Sequence, residues 1–341
     1  MDKYGTIVFS VVGLAHGHIY QMTEGLIYAG AILKYVYDEN KSSLKEFVCR
    51  YRGAVAVNSY EEILNDNEVD LVVIADIPCK RASVAIRAMN SGKNVFTAKA
   101  PFITSEQKQK VEETINLTQK KYFVYYSERL ASEAAMYACN AIKSGIIGKV
   151  INVEILAPHR LGSRPEWFFK KECSGGIFVD IGSHQFEQFL YYTGNDNANI
   201  IAATIRKSVN ESNEEYECFG DVYLKGENGA TGYIRVDWLT PDSLPVFGDG
   251  RVFILGEKGF IELRKYIDIG SGNTEVVIVC NDAKCQKVSV KDITKITFFN
   301  DLLDDILNGG NKTMSLHHTL YTMELALKTQ EVAESGKIYI V

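Results

Sequence analysis

The segment from Gly13 to His18 combines residue types that could hold a phosphate group. It follows an apolar, β-branched run, TIVFSVV, and precedes a helical pattern at about 18–28. The dinucleotide fingerprint G-x-G-x-x-G would require glycine at positions 13, 15 and 18, and only the first is present. A strand-to-helix turn that starts with glycine still suits a pyrophosphate, although a plain turn is the alternative. The residues expected at the dinucleotide are Gly13, Ala15, His16, Gly17 and His18.

Asp38 could bind a ribose. It ends the second predicted strand, 31–38, and lies 20 residues after His18. A carboxylate in this place can accept hydrogen bonds from both ribose hydroxyls of NAD. The adjacent Glu39 would repel a 2′-phosphate, so the sequence favours NAD over NADP. An exposed turn aspartate before Asn40 is the alternative.

Lys99 is a candidate cationic group at the end of a strand. It occurs in the run GKNVFTAKAP, residues 92–101, just past the predicted strand 94–97. Open α/β sheets bind ligands at the carboxyl ends of their strands. Pro101 restrains Ala100 to an extended conformation and so helps to fix the loop. The alternative is an ordinary solvated loop lysine.

Asp180 and His184 could form an acid–base pair. They lie four residues apart in the run SGGIFVDIGSHQFE, residues 174–187. If this segment is helical, both side chains lie on one face. A carboxylate near an imidazole can orient the ring and raise its basicity, as a general base requires. The alternative is an aspartate at a helix start and a histidine in the core.

The segment HRLGSRPEWF, residues 159–168, could bind a polyhydroxylated or anionic substrate. Guanidinium groups donate hydrogen bonds, and an indole can pack against a sugar face. A surface loop anchored by its aromatic residues is the alternative. The candidate substrate-binding residues in this segment are His159, Arg160, Arg164 and Trp167.

The elements that must position these residues follow two different rhythms. Up to about residue 124, short apolar strands alternate with helices, which predicts βαβ units and a parallel sheet covered on both faces. After that, longer strands of alternating polarity predict a mostly antiparallel sheet with one open face. The strands are predicted at 6–13, 31–38, 55–58, 69–75, 94–97, 122–126, 150–157, 200–209, 217–225, 229–237, 251–255, 259–263 and 275–280. The helices are predicted at about 18–28, 42–52, 59–65, 80–91, 105–119, 131–144, 297–307 and 319–335.

Composition excludes several classes of protein. The 341 residues are 46% hydrophobic and 23% charged, which argues against disorder of the whole chain. With 37 basic and 43 acidic residues the net charge is −6, so nucleic acid and anionic membranes are poor partners. The longest uncharged run, 6–23, contains two histidines and a glutamine and does not resemble a membrane span. No third ligand accompanies His16 and His18, so we expect no metal.

The seven cysteines are odd in number and scattered, and no C-x-x-C occurs. This pattern predicts buried free thiols in a reducing cytoplasm rather than a disulfide framework. The first residues, MDKY, lead directly into a strand pattern, so we expect no signal peptide and a cytoplasmic location.

Taken together, these segments resemble the Gfo/Idh/MocA family of nicotinamide-dependent oxidoreductases. The resemblance extends over nearly the whole chain. It implies an NAD-binding Rossmann domain at 1–124 and a substrate-binding α/β domain at 125–341, whose open sheet forms homo-oligomers. The last helix, about 319–335, could pack back on the first domain. The motifs that carry the resemblance are the nucleotide turn, VDLVVIA, GKNVFTAKAP, SGIIGKV, RPEWFF, GGIFVDIGSHQFEQ and RVFILGEKGFIEL.

The resemblance also assigns catalytic residues. Lys99 matches the lysine of the family's Glu-Lys-Pro motif, and Asp180 and His184 match its Asp-x-Gly-x-His motif. It further suggests Ala75 and Lys99 at the cofactor and Arg129 at the substrate. This sequence departs from the family pattern by Ala98 and Ala100 beside the lysine, Asp76-Ile77-Pro78 for Thr-Pro, Ser127-Glu128-Arg129 for Asn-x-Arg, and Glu187 for aspartate.

The implied function is hydride transfer between NAD and a hydroxyl-bearing carbon of a sugar, cyclitol or related polyol. His184 would take the hydroxyl proton, oriented by Asp180, and Lys99 would donate to the substrate oxygen. Two alternatives remain open. One is a redox-neutral enzyme of the same fold that cleaves glycosides with retained NAD. The other is a non-catalytic NAD-binding regulatory protein, which the alanines beside Lys99 suggest.

Overall fold

The computed structural model describes residues 6–208 and 215–336. It divides the chain into two compact units. The first comprises the described residues up to Tyr125 together with Thr297–Leu320. The second comprises Tyr126–Ile296 and the described residues from Tyr321 onward. Residue 209, the last of the predicted strand 200–209, lies outside the described part of the chain. So do residues 1–5, where a signal peptide would begin.

The first unit contains a six-stranded sheet in the order β3-β2-β1-β4-β5-β6. Every strand pair in it is parallel, as the alternation of strands and helices predicts. The strands are β1 Val8–Val12, β2 Ile32–Tyr37, β3 Val55–Ala56, β4 Leu71–Ile74, β5 Asn94–Ala98 and β6 Tyr122–Tyr125. The helices between them are α1 His18–Tyr28, α2 Lys41–Arg50, α3 Tyr60–Asn65, α4 Pro78–Asn90 and α5 Ser105–Thr118. The predicted Rossmann-type fold is confirmed.

Local sequence explains how these elements form. All four residues of β4 are buried, as a central parallel strand covered on both faces requires. The predicted capping box is present at α3, where Ser59 and Glu62 satisfy each other's backbone N–H groups. Helix α4 begins with Pro78, whose missing N–H costs nothing in the first turn.

The second unit contains an eight-stranded sheet in the order β14-β13-β12-β11-β7-β10-β9-β8. Only β7 and β10 pair in parallel, so the predicted mostly antiparallel sheet is confirmed. The helices are α6 Ser127–Leu130, α7 Glu133–Lys143, α8 Lys171–Ser174 and α9 Ser183–Thr193. The strands are β7 Val150–Pro158, β8 Ala198–Lys207, β9 Glu217–Gly226, β10 Thr231–Asp237, β11 Arg251–Gly256, β12 Gly259–Arg264, β13 Val276–Asn281 and β14 Cys285–Ser289.

One face of this sheet is covered by helices and the other carries exposed side chains. Helix α9 lies so close to β10 that a Cβ on Gly232 would come within 2.5 Å of the Phe189 ring. On the opposite face Tyr223 and Leu255 are about 40% and 39% exposed. Strand β14 has a polar, half-exposed sequence and therefore gave no strand signal.

Two helices end the chain, α10 Phe298–Asn308 and α11 Leu316–Ser335. Helix α10 belongs to the first unit, where the Phe299 ring fills the space beside Gly25 of α1. In α11, Leu316–Leu320 belongs to the first unit and the remainder to the second. There the Tyr321 hydroxyl is 3.0 Å from both the amide nitrogen and the carbonyl oxygen of Ala198.

The prediction of free thiols throughout is wrong at one place. Cys280 and Cys285 form a disulfide, because the antiparallel register of β13 and β14 sets them opposite each other. Cys139 and Cys218 are buried thiols, as expected. Among the described residues, we find no helix with the length and apolarity needed to cross a membrane.

Candidate active site

The turn after β1 is held tightly between two neighbouring strand ends. Gly13 has φ +82°, and a Cβ there would lie 2.5 Å from the backbone of Asp76. The Gly13 N–H donates to the Tyr37 carbonyl at 2.9 Å, and the His16 N–H donates to the Ala75 carbonyl at 3.0 Å. Only glycine fits a position that combines this backbone conformation with this close approach.

The start of α1 offers room for an anionic group. Gly17 occupies the N-cap position without a capping side chain, and a Cβ built on it would meet nothing within 4 Å. The first N–H groups of a helix carry a partial positive charge and favour phosphate oxygens. These residues therefore fit the pyrophosphate of a dinucleotide.

Asp38 lies beside this turn and is half-buried. Its Oδ2 accepts from the Leu14 N–H at 2.5 Å and its Oδ1 from the Asn40 N–H at 2.6 Å. A carboxylate has about four acceptor positions, so ribose hydroxyls can still bind. Glu39 is exposed and lies 3.1 Å from the Lys80 ammonium.

Asp76 is a second carboxylate near the turn, which sequence reasoning noted only as a departure from the family pattern. Burial raises the pKa of Asp76, and the Asp38 carboxylate raises it further, against the Ile77 N–H bond and the Lys80 ammonium. Its carbonyl accepts from Arg81 Nε at 2.6 Å. The turn therefore has a second carboxyl group close to Asp38.

Lys99 follows the last residue of β5 directly and is buried, with 6% of its surface exposed. Its peptide bond to Ala100 is cis. The carbonyls of the residues around it accept hydrogen bonds from the buried Arg81 guanidinium of α4. The predicted placement of Lys99 at the carboxyl end of a parallel strand thus agrees with its position in the sheet.

Asp180 and His184 belong to one helical segment of the second unit. Residues Phe178–Gly182 form a π-helical turn that continues directly into α9. Because a π-helical turn is wider than an α-helical turn, the four residues from Asp180 to His184 follow a wider path than they would in an α-helix. His184 is only 3% exposed and meets the Tyr126 ring edge-on at 6.4 Å.

A cavity lies against this segment. It is small and about half open to solvent, and Asp180 forms part of its wall. The Tyr216 hydroxyl is buried without a hydrogen-bond partner among the described residues. The lining residues are Phe168, Phe169, Lys171, Ser174, Gly176, Ile177, Asp180, Glu215, Tyr216, Glu217 and Trp238.

Glu128 forms a buried polar network that sequence reasoning missed. Its Oε2 accepts from the Lys265 ammonium and, at 2.8 Å, from Gln185 Nε2. Its Oε1 is 3.4 Å from His159 Nε2. Burial alone would raise the pKa of Glu128, but the Lys265 ammonium and the nearby histidines outweigh it and hold that pKa well below its usual range. The lysine is 137 residues away in sequence, so no local pattern could have identified the pair.

Two predicted substrate-binding arginines are engaged within the protein. Arg129 Nε donates to both oxygens of Glu187 at 2.7 and 2.9 Å, and its guanidinium lies 3.8 Å from the Tyr191 ring centre. Arg160 Nη2 donates to carbonyls of the 241–244 loop. Both side chains therefore stabilise their surroundings, whatever they contribute to a ligand.

The remaining candidates of that loop lie in an aromatic cluster. The Arg164 guanidinium is 5.0 Å from the Phe168 ring and 4.9 Å from the Trp238 ring. Burial lowers the pKa of Arg164. His159 meets the Trp238 ring at 5.5 Å, and Trp167 is half-buried beside Phe168. Within the second unit, the cavity-lining Trp238 thus connects the 159–168 segment to the wall that holds Asp180.

The sequence matches two family models that together cover most of the chain. Residues 9–126 match an oxidoreductase family with an NAD-binding Rossmann fold, and residues 136–262 match the GFO/IDH/MocA C-terminal domain. A protein from Erwinia carotovora atroseptica SCRI1043, assigned provisionally as an oxidoreductase, has a crystal structure and is 41% identical in sequence to this chain. It superposes with a TM-score of 0.94 over 96% of this chain and 99% of that one.

Two curated relatives are more distant. The scyllo-inositol 2-dehydrogenase (NAD(+)) of Bacillus subtilis (strain 168) is 27% identical over 59% of this chain and 56% of its own length. Glycosyl hydrolase family 109 protein 1 of Shewanella sp. (strain ANA-3) is 29% identical over 42% of this chain and 34% of its own. The chain spans about half the length of the first curated relatives it matches.

Proposed function

Since the chain belongs to the Gfo/Idh/MocA family of oxidoreductases, we propose that it transfers a hydride between NAD and a hydroxyl-bearing carbon of a sugar, cyclitol or related polyol. The strongest support is the position of Asp180 in the wall of an aromatic cavity, on the same helical segment as His184. A carboxylate beside aromatic faces suits a ligand with several hydroxyl groups.

The chemistry of this cavity favours an uncharged ligand over an anion. Its wall combines aromatic rings with the carboxyl groups of Asp180 and Glu217, and its one lysine, Lys171, pairs with Glu334. The guanidinium groups of Arg129 and Arg160, which could have received an anion, are bonded to the protein itself. The Tyr216 hydroxyl adds a buried donor that a sugar hydroxyl could satisfy.

The residues of the first unit fit NAD as the cofactor. The 13–18 turn and the start of α1 would hold the pyrophosphate, and the Asp38 carboxylate would hold the adenosine ribose. When bound, the nicotinamide supplies the hydride acceptor or donor. The pairing of Glu39 with Lys80 favours NAD over NADP.

The protein's own groups would manage the proton and the charge. His184 takes the proton of the substrate hydroxyl during oxidation and returns it during reduction, and Asp180 orients the ring. Lys99 donates a hydrogen bond to the substrate oxygen as negative charge develops there. Trp167 and Arg164 contribute to substrate binding through the aromatic cluster.

The proposal is tested by measuring NADH absorbance with a panel of sugars, cyclitols and polyols. We expect turnover of at least one polyol, with NAD preferred over NADP. Absence of turnover on the whole panel, by protein that binds NAD in calorimetry, would overturn the dehydrogenase assignment and favour a regulatory NAD-binding role.

A second candidate function is redox-neutral cleavage of a glycoside with retained NAD. Similarity to the Shewanella glycosyl hydrolase family 109 protein motivates it. The two functions differ in stoichiometry. A dehydrogenase forms one NADH per product, whereas the alternative releases sugar from a glycoside with no net NADH and without added cofactor.

Oligomeric state and location also remain predictions. The exposed Tyr223 and Leu255 on the second sheet support a homo-oligomer formed through that face. Sedimentation analysis of purified protein would measure this state, and fractionation of the source cells would test the expected cytoplasmic location.

A further inference from the structure

Arg81 is a completely buried cation that donates hydrogen bonds to four backbone carbonyls. It lies in the first turn of α4 and has no exposed surface. Its Nη1 lies 3.2, 2.5 and 3.0 Å from the carbonyl oxygens of Ala98, Lys99 and Ala100. Its Nε donates to the carbonyl of Asp76 at 2.6 Å. One guanidinium therefore joins the loop after β4 to the loop after β5.

This arrangement fixes the backbone on both sides of Lys99. Three consecutive carbonyls can point at one nitrogen only if the chain curves around it. The side chains of Ala98 and Ala100 are methyl groups and offer no polar contact of their own. Because burying a cation is costly unless it is hydrogen-bonded, the guanidinium and the curved loop stabilise each other.

The Nε bond links this loop to the dinucleotide turn. Asp76 follows β4, and its backbone lies against Gly13. Strands β4 and β5 are neighbours in the sheet, so the two loops emerge from the same edge. A shift of the Arg81 side chain would move Lys99 relative to Gly13.

We propose that Arg81 is a positioning residue that sets the location of the Lys99 ammonium relative to the dinucleotide turn. This inference rests on the proposed function of Lys99. Lysine cannot replace Arg81, because its single ammonium cannot reach both loops with the planar donor geometry of a guanidinium. The role is indirect, since Arg81 acts through the backbone of Lys99.

The first test compares Arg81→Lys with Arg87→Lys in the intact protein. Arg87 lies on the same helix but is exposed and pairs with Glu61. We expect Arg81→Lys to lower kcat about 100-fold, the effect of a displacement near 1 Å, with KM changed less than 3-fold. Arg87→Lys should leave both unchanged. Equal small effects in the two variants would overturn the inference.

The second test is a double-mutant cycle with Lys99→Met. If Arg81 acts through Lys99, adding Arg81→Lys to Lys99→Met should lower kcat less than 3-fold further. A further drop near 100-fold would show an independent, purely structural role and contradict the inference. Should Arg81→Lys not fold, Arg81→Gln takes its place in both tests.

Amide hydrogen exchange provides a readout that needs no substrate. In the wild-type protein the amides of Lys99, Ala100 and Phe102 should exchange as slowly as those of β5. In Arg81→Lys the peptide 94–104 should exchange at least 10-fold faster, with the Arg87→Lys protein unchanged. Fast exchange of those three amides in the wild type would overturn the inference. If exchange behaves as expected but no polyol is turned over, the proposed function fails and the backbone role stands.

Discussion

The Lys265 ammonium and the Glu128 carboxylate form an ion pair in the interior of the second unit, with side chains 0% and 5% exposed. Glu128 also accepts from Gln185, the residue next to His184. A buried pair of this kind need not stabilise the fold relative to an apolar pair, but removing one partner leaves the other charge uncompensated.

Replacing Glu128 by glutamine should destabilise the protein by about 3–5 kcal/mol at neutral pH, because Lys265 loses its counter-charge. Chemical denaturation measures this loss. Glu106→Gln is the matched control, since Glu106 pairs with Lys110 on the surface and its removal should have no measurable effect.

The same pair predicts a dependence of stability on pH. Because the pKa of Glu128 is held below that of an unfolded glutamate, its contribution is fully present above about pH 4.3 and is lost as the pH falls toward the lowered pKa. Wild-type stability should therefore fall more steeply in acid than that of Glu128→Gln. Parallel pH profiles for the two proteins would contradict the lowered pKa.

Gly13→Ala should abolish NAD binding. The new Cβ would meet the Asp76 backbone, and the positive φ costs an alanine roughly 1–2 kcal/mol. Gly53→Ala is the control, because a Cβ built there meets nothing within 4 Å and the residue lies before β3, outside the dinucleotide turn. Calorimetric titration with NAD measures the affinity of both variants. Normal affinity in Gly13→Ala would remove the assigned role of the turn.

Lys99→Ala and His184→Ala should each lower kcat/KM for the best polyol at least about 100-fold, the lower end of what an acid–base group contributes. Both effects should appear mainly in kcat. Steady-state kinetics measure them, with circular dichroism as the folding control. Activity near the wild-type level in both variants would remove these catalytic assignments.

Tyr216→Phe tests whether the cavity binds the substrate. The hydroxyl has no partner among the described residues, so its removal should not reduce stability but should raise KM about 5–30-fold, the loss of one hydrogen bond of about 1–2 kcal/mol. Tyr192→Phe removes another buried hydroxyl without such a partner, from a residue that does not line the cavity. Its KM should not change.

Asp38→Ser tests the cofactor preference. Removing the carboxylate that we propose to bind the ribose should weaken NAD binding and narrow the preference for NAD over NADP, because charge repulsion of the 2′-phosphate decreases. The comparison is the ratio of kcat/KM for the two cofactors in the variant and the wild type. Tighter binding of NADP than NAD by the wild-type protein would contradict the role given to Asp38.

The sequence alone predicted the architecture because the signals for it are local. The buried run of β4, the glycine at the end of β1 and the Ser59–Glu62 capping box each act within a few residues. The change from short apolar strands to longer alternating ones likewise distinguished the parallel from the mostly antiparallel sheet. Helix α9 was not among the predicted helices; the spacing of Asp180 and His184 indicated only that a helix there would place both side chains on one face.

Only the tertiary structure decided the contacts between distant parts of the chain. No periodic pattern connects Glu128 with Lys265 or Arg81 with the carbonyls around Lys99. The tertiary structure also assigned Thr297–Leu320 to the first unit. Such contacts depend on how whole elements pack and on which strand registers result. A side chain's partner 18 or 137 residues away therefore leaves no trace in local composition.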